Sequence, residues 1–111
     1  MNYSNFFSIE AIGRDVSSDE PESCSDADTY LELLSALKKG GDFLGLVDSN
    51  NLCLQFMYRS DEDQYLVEIP RPDMGGSYGT YCRFDEAAKI LNTLPQILPK
   101  DGLPGFEFSS W

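Results

Sequence analysis

FLGLV at residues 43–47, LCLQFMY at 52–58, YLVEI at 65–69 and YGTYCRF at 78–84 are four short apolar runs separated by turn residues. Leu52, Leu54, Phe56 and Tyr58 alternate with their neighbours, and so do Tyr65, Val67 and Ile69. A period of two is what a half-buried strand requires, because successive side chains point to opposite faces of a sheet. The first two runs are joined by Asp48-Ser49-Asn50-Asn51 and the next two by Ser60-Asp61-Glu62-Asp63. Asn and Asp tolerate left-handed backbone and bond their own main chain, so both segments read as hairpin turns. Residues 43–84 therefore predict an antiparallel meander.

The third run meets Ile69-Pro70-Arg71-Pro72-Asp73-Met74-Gly75-Gly76-Ser77. Proline cannot donate to a ladder, so pairing is expected to stop at Ile69. The segment reads as a flexible loop at the sheet rim, a common place for recognition. Gly75 to Gly79 resembles a phosphate-binding loop only in its glycines. It lacks the Lys-Ser/Thr ending, and the residues after it read as strand where a phosphate cradle needs a helix N-terminus.

Two helices flank the meander in the chain. Tyr30, Leu33, Leu34 and Leu37 recur at helical spacing, after a capping box at Ser25-Asp26-Ala27-Asp28. Lys38 and Lys39 suit the last turn, and Gly40-Gly41 ends the helix. The second helix is expected over Asp85 to Leu94, with Asp85 as N-cap, a buried stripe of Ala87, Ile90, Leu91 and Leu94, and Pro95 as terminator. Upstream, Phe6 to Val16 reads as a first strand with Phe7, Ile9 and Ala11 on its buried face. Residues 15–28 hold six carboxylates, several serines and no basic residue after Arg14, which reads as a mobile acidic loop. It is either a solvated linker or a contact for a basic partner. The tail, residues 95–111, is irregular by its prolines and glycines. The alternation of Phe106, Phe108 and Trp111 suggests a short terminal strand or an aromatic flap.

These elements predict one α+β domain spanning residues 1–111, an antiparallel meander sheet of four to five strands with two helices packed on one face. At 111 residues and 41% hydrophobic content the chain can bury a real core. Its longest apolar runs are far shorter than the roughly 20 residues a membrane helix needs. The start at Met1-Asn2-Tyr3-Ser4 has no basic segment followed by an apolar one, so the expected location is the cytoplasm.

The net charge of −11 argues against direct binding to nucleic acid, where affinity comes from Lys and Arg displacing counterions. It favours basic partners. There is no histidine, so the usual general base and the usual partner of a nucleophilic Cys or Ser are missing. Glu68 could meet Asp85 or Glu86, but carboxylates are too frequent for that pairing to stand out. Cys24, Cys53 and Cys82 are widely spaced without a CxxC pair, so no zinc site is expected. Cys53 and Cys82 read as small apolar strand residues. No catalytic residue, cofactor or metal is expected, and a non-enzymatic, protein-binding domain remains.

The order of a leucine-striped helix, a meander, the Gly75-Gly76-Ser77 loop, a helix with Glu86-Ala87-Ala88 and a tail ending in Trp111 resembles small acidic immunity proteins of bacterial polymorphic toxin systems. The likeness covers residues 26–111 and is closest to those that neutralise deaminase and nuclease toxins. The acidic run at 15–28 has no counterpart in that pattern. The resemblance implies an antidote that occludes the active site of one basic toxin domain. Contacts are then expected from Asp61, Glu62 and Asp63 in one turn, and from Asp73, Tyr78 and Tyr81 around the glycine loop. Two other readings stay open. One is an acidic nucleic-acid mimic of the anti-CRISPR or anti-restriction type, and the other is an adaptor subunit of a larger assembly.

Overall fold

Alternation carries the chain through eight antiparallel strands among the described residues, 3–24 and 27–111 of the computed structural model. They are β1 (Tyr3–Ile9), β2 (Arg14–Val16), β3 (Glu22–Cys24), β4 (Phe43–Val47), β5 (Cys53–Arg59), β6 (Gln64–Arg71), β7 (Gly76–Cys82) and β8 (Glu107–Ser110). They form one sheet in the order β2-β1-β4-β5-β6-β7-β8, with β3 also pairing β1. The meander is thus the middle of a wider sheet than the four to five strands expected. The additional strands are the short ones, whose three or four residues leave little alternation to read.

The expected first strand folds as a hairpin. β1 ends at Ile9, a 3-10 turn covers Glu10–Ile12, and Gly13 enters the left-handed region at φ 62° to send β2 back along β1. Phe7 and Ile9 are buried, but Ala11 sits in the turn and is exposed. The acidic run at 15–28 is not continuous loop either. Val16 and Glu22–Cys24 pair with β1 on either side of a turn, and Arg14 bonds Glu22 at 3.0 Å while lying over the Phe7 ring. Pairing also passes Pro70, with Pro70 opposite Ser77 and Arg71 opposite Gly76. β6 pairs with β5 only as far as Glu68. Beyond that point it has one neighbour, and a proline is tolerated on such an edge.

Helix α1 (Ala27–Ser35) buries Tyr30 and Leu34, with Leu37 just beyond its end. The Ser25-Asp26 half of the expected capping box lies outside the described residues. Lys38 and Lys39 fall past the last turn, where their backbone N–H groups donate to Asp42 Oδ2 at 3.1 Å each. Asp42 Oδ1 accepts from the Glu10 N–H, so one buried carboxylate fastens the helix exit to the β1–β2 turn. Helix α2 (Phe84–Asn92) starts one residue before the expected Asp85 and ends two before Leu94; its N-cap is Arg83 rather than Asp85, and the Arg83 N–H donates to Glu86 Oε1. It buries Ala87 and Leu91.

Both helices cover the same face of the sheet. Tyr30, Leu34, Ala87 and Leu91 close one core with Phe7, Leu44, Leu46, Leu54, Phe56, Val67 and Ile69. The register places those strand residues on a common side. The segment between α2 and β8 seals the rest of this face. The Tyr3 hydroxyl donates to Pro95 O, the buried Leu98 N–H donates to Asp48 Oδ2 at 2.8 Å, and Arg71 donates to Lys100 O. These ties bring β8 alongside β7.

Candidate interaction surface

The opposite face of the sheet is left uncovered by both helices, and Gly105, from the segment that precedes β8, borders it. Strand alternation assigns it Ser4, Phe6 and Ser8 from β1, and Phe43, Gly45 and Val47 from β4. Cys53, Gln55, Met57 and Arg59 come from β5, and Leu66 and Glu68 from β6. Tyr81, Glu107 and Ser109 follow from the pairing of β6, β7 and β8. Six strand spacings of about 4.8 Å make this face about 29 Å wide. With strands of five to eight residues, about 17–26 Å long, the face is of the same order as a standard protein–protein interface, about 800 Å² per partner.

One end of the face is aromatic and apolar. The outer end of the buried Phe6 ring lies over Gly45, where an added Cβ would come within 2.1 Å of it, and the ring meets Phe43 at 6.0 Å between centroids. Met57 and Leu66 continue the apolar strip as directly paired neighbours. The other end is a groove of about 450 Å³ over β6, β7 and β8. Gly79 is its floor, because it has no side chain between Glu68 on β6 and Glu107 on β8. Tyr81 and Trp111 rise at the two ends, 54% and 72% exposed. The Trp111 N–H is tied to Gly75 O at 2.9 Å, which holds the end of the chain on the sheet.

The sequence-predicted contact residues are distributed over both ends and both faces. Asp61, Glu62 and Asp63 form the exposed β5–β6 turn. Asp63 accepts the Tyr58 hydroxyl at 2.9 Å, and Asp61 pairs with Arg59 at 3.9 Å. Arg59 in turn lies 5.8 Å from the Tyr81 ring centre, so the turn and Tyr81 join in one patch at the rim of the open face. Asp73 is at the opposite end of β6, about 27 Å away along eight residues of strand. There Arg71 holds it in a two-bond ion pair and keeps its carboxyl below the usual range. Tyr78 points to the helix-covered side, edge-on to Phe108 at 5.2 Å. Tyr78 and Tyr81 therefore lie on opposite faces, because three positions along a strand reverse the direction of the side chain.

The juxtaposition of Glu68 with Glu107 was not legible in the sequence, which had set Glu68 only against Asp85 or Glu86. Neither belongs to a motif, and only the β6-β7-β8 pairing sets them on both sides of one glycine. Glu68 and the α2 carboxylates Asp85 and Glu86 do not converge, since Glu68 stands on the open face and α2 packs on the other. Its Oε2 instead accepts the Ser77 hydroxyl at 3.0 Å.

The two described thiols, Cys53 and Cys82, are poor nucleophiles. Burial pushes Cys53 up to about 12 and Cys82 up to about 11, the latter aided by Glu86 and Asp85. Both stay protonated at neutral pH, whereas a reactive cysteine needs a lowered value. Among the described residues no group of three or more Cys, Asp or Glu side chains is placed to hold a metal ion. No helix among them is long and apolar enough to cross a membrane. A second cleft, of about 540 Å³, opens between α2, β7 and Leu103 on the helix-covered side, lined by Cys82, Ile90 and Lys89.

Comparison of the chain with protein-family models, with curated proteins and with solved structures found no match.

Proposed function

We propose that this chain is a non-catalytic, protein-binding domain of the immunity type, which docks its uncovered sheet face on a basic toxin domain and occludes that domain's active site. The observation that carries the reading is the open face itself. It is wide enough for a standard interface, apolar from the Phe6 end to Leu66, and acidic at the other side in a chain of net charge −11. Toxins that act on nucleic acid carry basic clefts, and an acidic antidote is steered into such a cleft at high rate. Affinity then rests on a few desolvated anchors, for which Met57, Leu66 and Tyr81 are placed. The Asp61-Glu62 corner supplies charge at the rim. In this reading the protein acts in the cytoplasm, where such a toxin would reach nucleic acid.

The test is an affinity pull-down from the native host with wild-type protein and with Met57→Arg, washed at low and then high salt. One basic protein that survives the high-salt wash on wild type, is lost on Met57→Arg, and has its activity on nucleic acid blocked at equimolar antidote is the expected result. Retention of the partner by Met57→Arg refutes docking through this face. A nucleic-acid-binding partner that elutes steeply with salt from both proteins would point to the nucleic-acid mimic instead.

A further inference from the structure

The groove at the β8 side of the open face carries two carboxylates without a cation. Glu68 and Glu107 are both paired in register with Gly79, on β6 and β8, so their Cα atoms stand about two strand spacings, or about 10 Å, apart. Neither forms an ion pair among the described residues. The chain's nearest arginine on this face, Arg59, is engaged with Asp61 and the Tyr81 ring. The space above Gly79 stays open because a Cβ there would sit 2.9 Å from Glu68 Cβ and from Val67 O. Tyr81 and Trp111 present aromatic surface at the ends, and Ser109 adds a hydroxyl beside the acidic centre. A volume of about 450 Å³ falls within the range of sites that enclose a small group, about 300–1,000 Å³.

We propose that this groove receives an arginine side chain from an extended segment of the basic partner, with the guanidinium held between Glu68 and Glu107 and the rest of that segment running along the groove toward the Trp111 ring at its end. This assignment rests on the open-face reading above and names the chemistry of one subsite within it. A guanidinium matches the site better than an ammonium. It is planar, donates in a fork suited to carboxylates, and is weakly hydrated. Glu68 has one oxygen engaged by Ser77, which orients the carboxylate and leaves Oε1 to accept.

Trp111 is the chain's single tryptophan, so its emission reports on the groove directly. The probe is a capped pentapeptide, Ser-Val-Arg-Val-Ser, titrated into the full chain beside its Ser-Val-Gln-Val-Ser counterpart. The expected result is a saturable change in Trp111 emission, at least fivefold tighter for the arginine peptide and abolished in E68Q/E107Q. The control D19N/E20N removes the same two charges from the β2–β3 turn and is expected to leave the titration unchanged. Equal response to both peptides, no saturable response, or an undiminished response in E68Q/E107Q overturns the assignment. Should the double variant fail to fold by circular dichroism, E107Q alone is used, since Glu107 is exposed and forms no ion pair among the described residues. With the recovered partner, unchanged affinity for E68Q/E107Q but loss on Met57→Arg removes the groove and leaves the open-face reading standing. Insensitivity to both changes removes that reading as well.

Discussion

Asp48 is the residue on which the path to β8 depends, and replacing it tests that directly. It is 4% exposed. Its Oδ1 accepts the Asn50 and Leu52 N–H groups at 2.8 and 2.9 Å, and its Oδ2 accepts the Leu98 N–H at 2.8 Å. A hydrogen bond to a charged group contributes about 1.5–3 kcal/mol. In Asp48→Ala the two turn N–H groups regain some water, while the Leu98 N–H stays buried without an acceptor. The expected loss is about 3–4 kcal/mol, a large share of the roughly 6–16 kcal/mol typical of a chain this long. With a urea slope of about 2 kcal/mol/M, the midpoint falls by about 1.5–2 M. Asp48→Asn keeps one acceptor oxygen and sets an amide against one of the former donors, so its loss is smaller, about 2–3 kcal/mol. Leu98→Ala alone should lose about 2–5 kcal/mol. Because Asp48 and Leu98 fasten the same segment, the double variant should fall short of the sum by about 1 kcal/mol or more. Hydrogen exchange in Asp48→Ala should quicken at Phe108 and Ser110 more than at Phe56. A midpoint shift below about 0.3 M, or strict additivity with Leu98→Ala, would refute the idea that Asp48 anchors this segment.

Gly45→Ala places a methyl where the Phe6 ring lies; the expected cost is about 1–3 kcal/mol in thermal or urea melts, and Phe6→Ala in the same chain should recover part of it. Burial pushes Tyr3 and Tyr65 up to about 12, alongside the two raised thiols. The folded chain thus favours their neutral forms, so their stabilisation is complete below pH 9 and is lost progressively as pH rises toward 12. Urea midpoints measured from pH 7 to 11.5 should hold level to about pH 9 and then decline, and a flat profile to pH 11.5 would contradict the burial of these groups. Asp61→Lys with Glu62→Lys, which spares the Asp63–Tyr58 bond, should slow association with a basic partner several-fold and flatten its salt dependence, as read by stopped flow. Unchanged association would exclude that turn from the encounter.

The Tyr65-Val67-Ile69 face is buried as its spacing predicts, and of the stripe Tyr30, Leu33, Leu34 and Leu37 only Leu33 stays half-buried, since alternation and helical periodicity are local properties. Position along the chain also located Asp61, Glu62, Asp63, Asp73 and Tyr81 at exposed sites. Their grouping was not legible, because it depends on which strand neighbours which. Asp73 and the acidic turn sit at opposite ends of β6, and Tyr78 belongs to the helix-covered side. Asp48 reads as an ordinary turn residue, and nothing in the pattern marks Asp42. Their side chains reach backbone N–H groups on other elements, and a one-dimensional pattern gives no sign of that.

By itself the sequence determined the elements: a meander read over Phe43 to Phe84, whose last strand ends at Cys82 because Phe84 opens α2, two helices with one apolar stripe each, an acidic surface and a chain without histidine. Tertiary structure decided the rest. It folded Phe6 to Val16 into a hairpin around Gly13, added β3 and β8, carried the sheet past Pro70, and fixed which face of the sheet the two helices, expected on one side, cover. That last choice creates the open face and its groove. Helical and strand periods say how far apart apolar residues recur, but not which sheet face a helix covers. Long-range pairing of β6, β7 and β8 alone brings Glu68, Gly79 and Glu107 side by side.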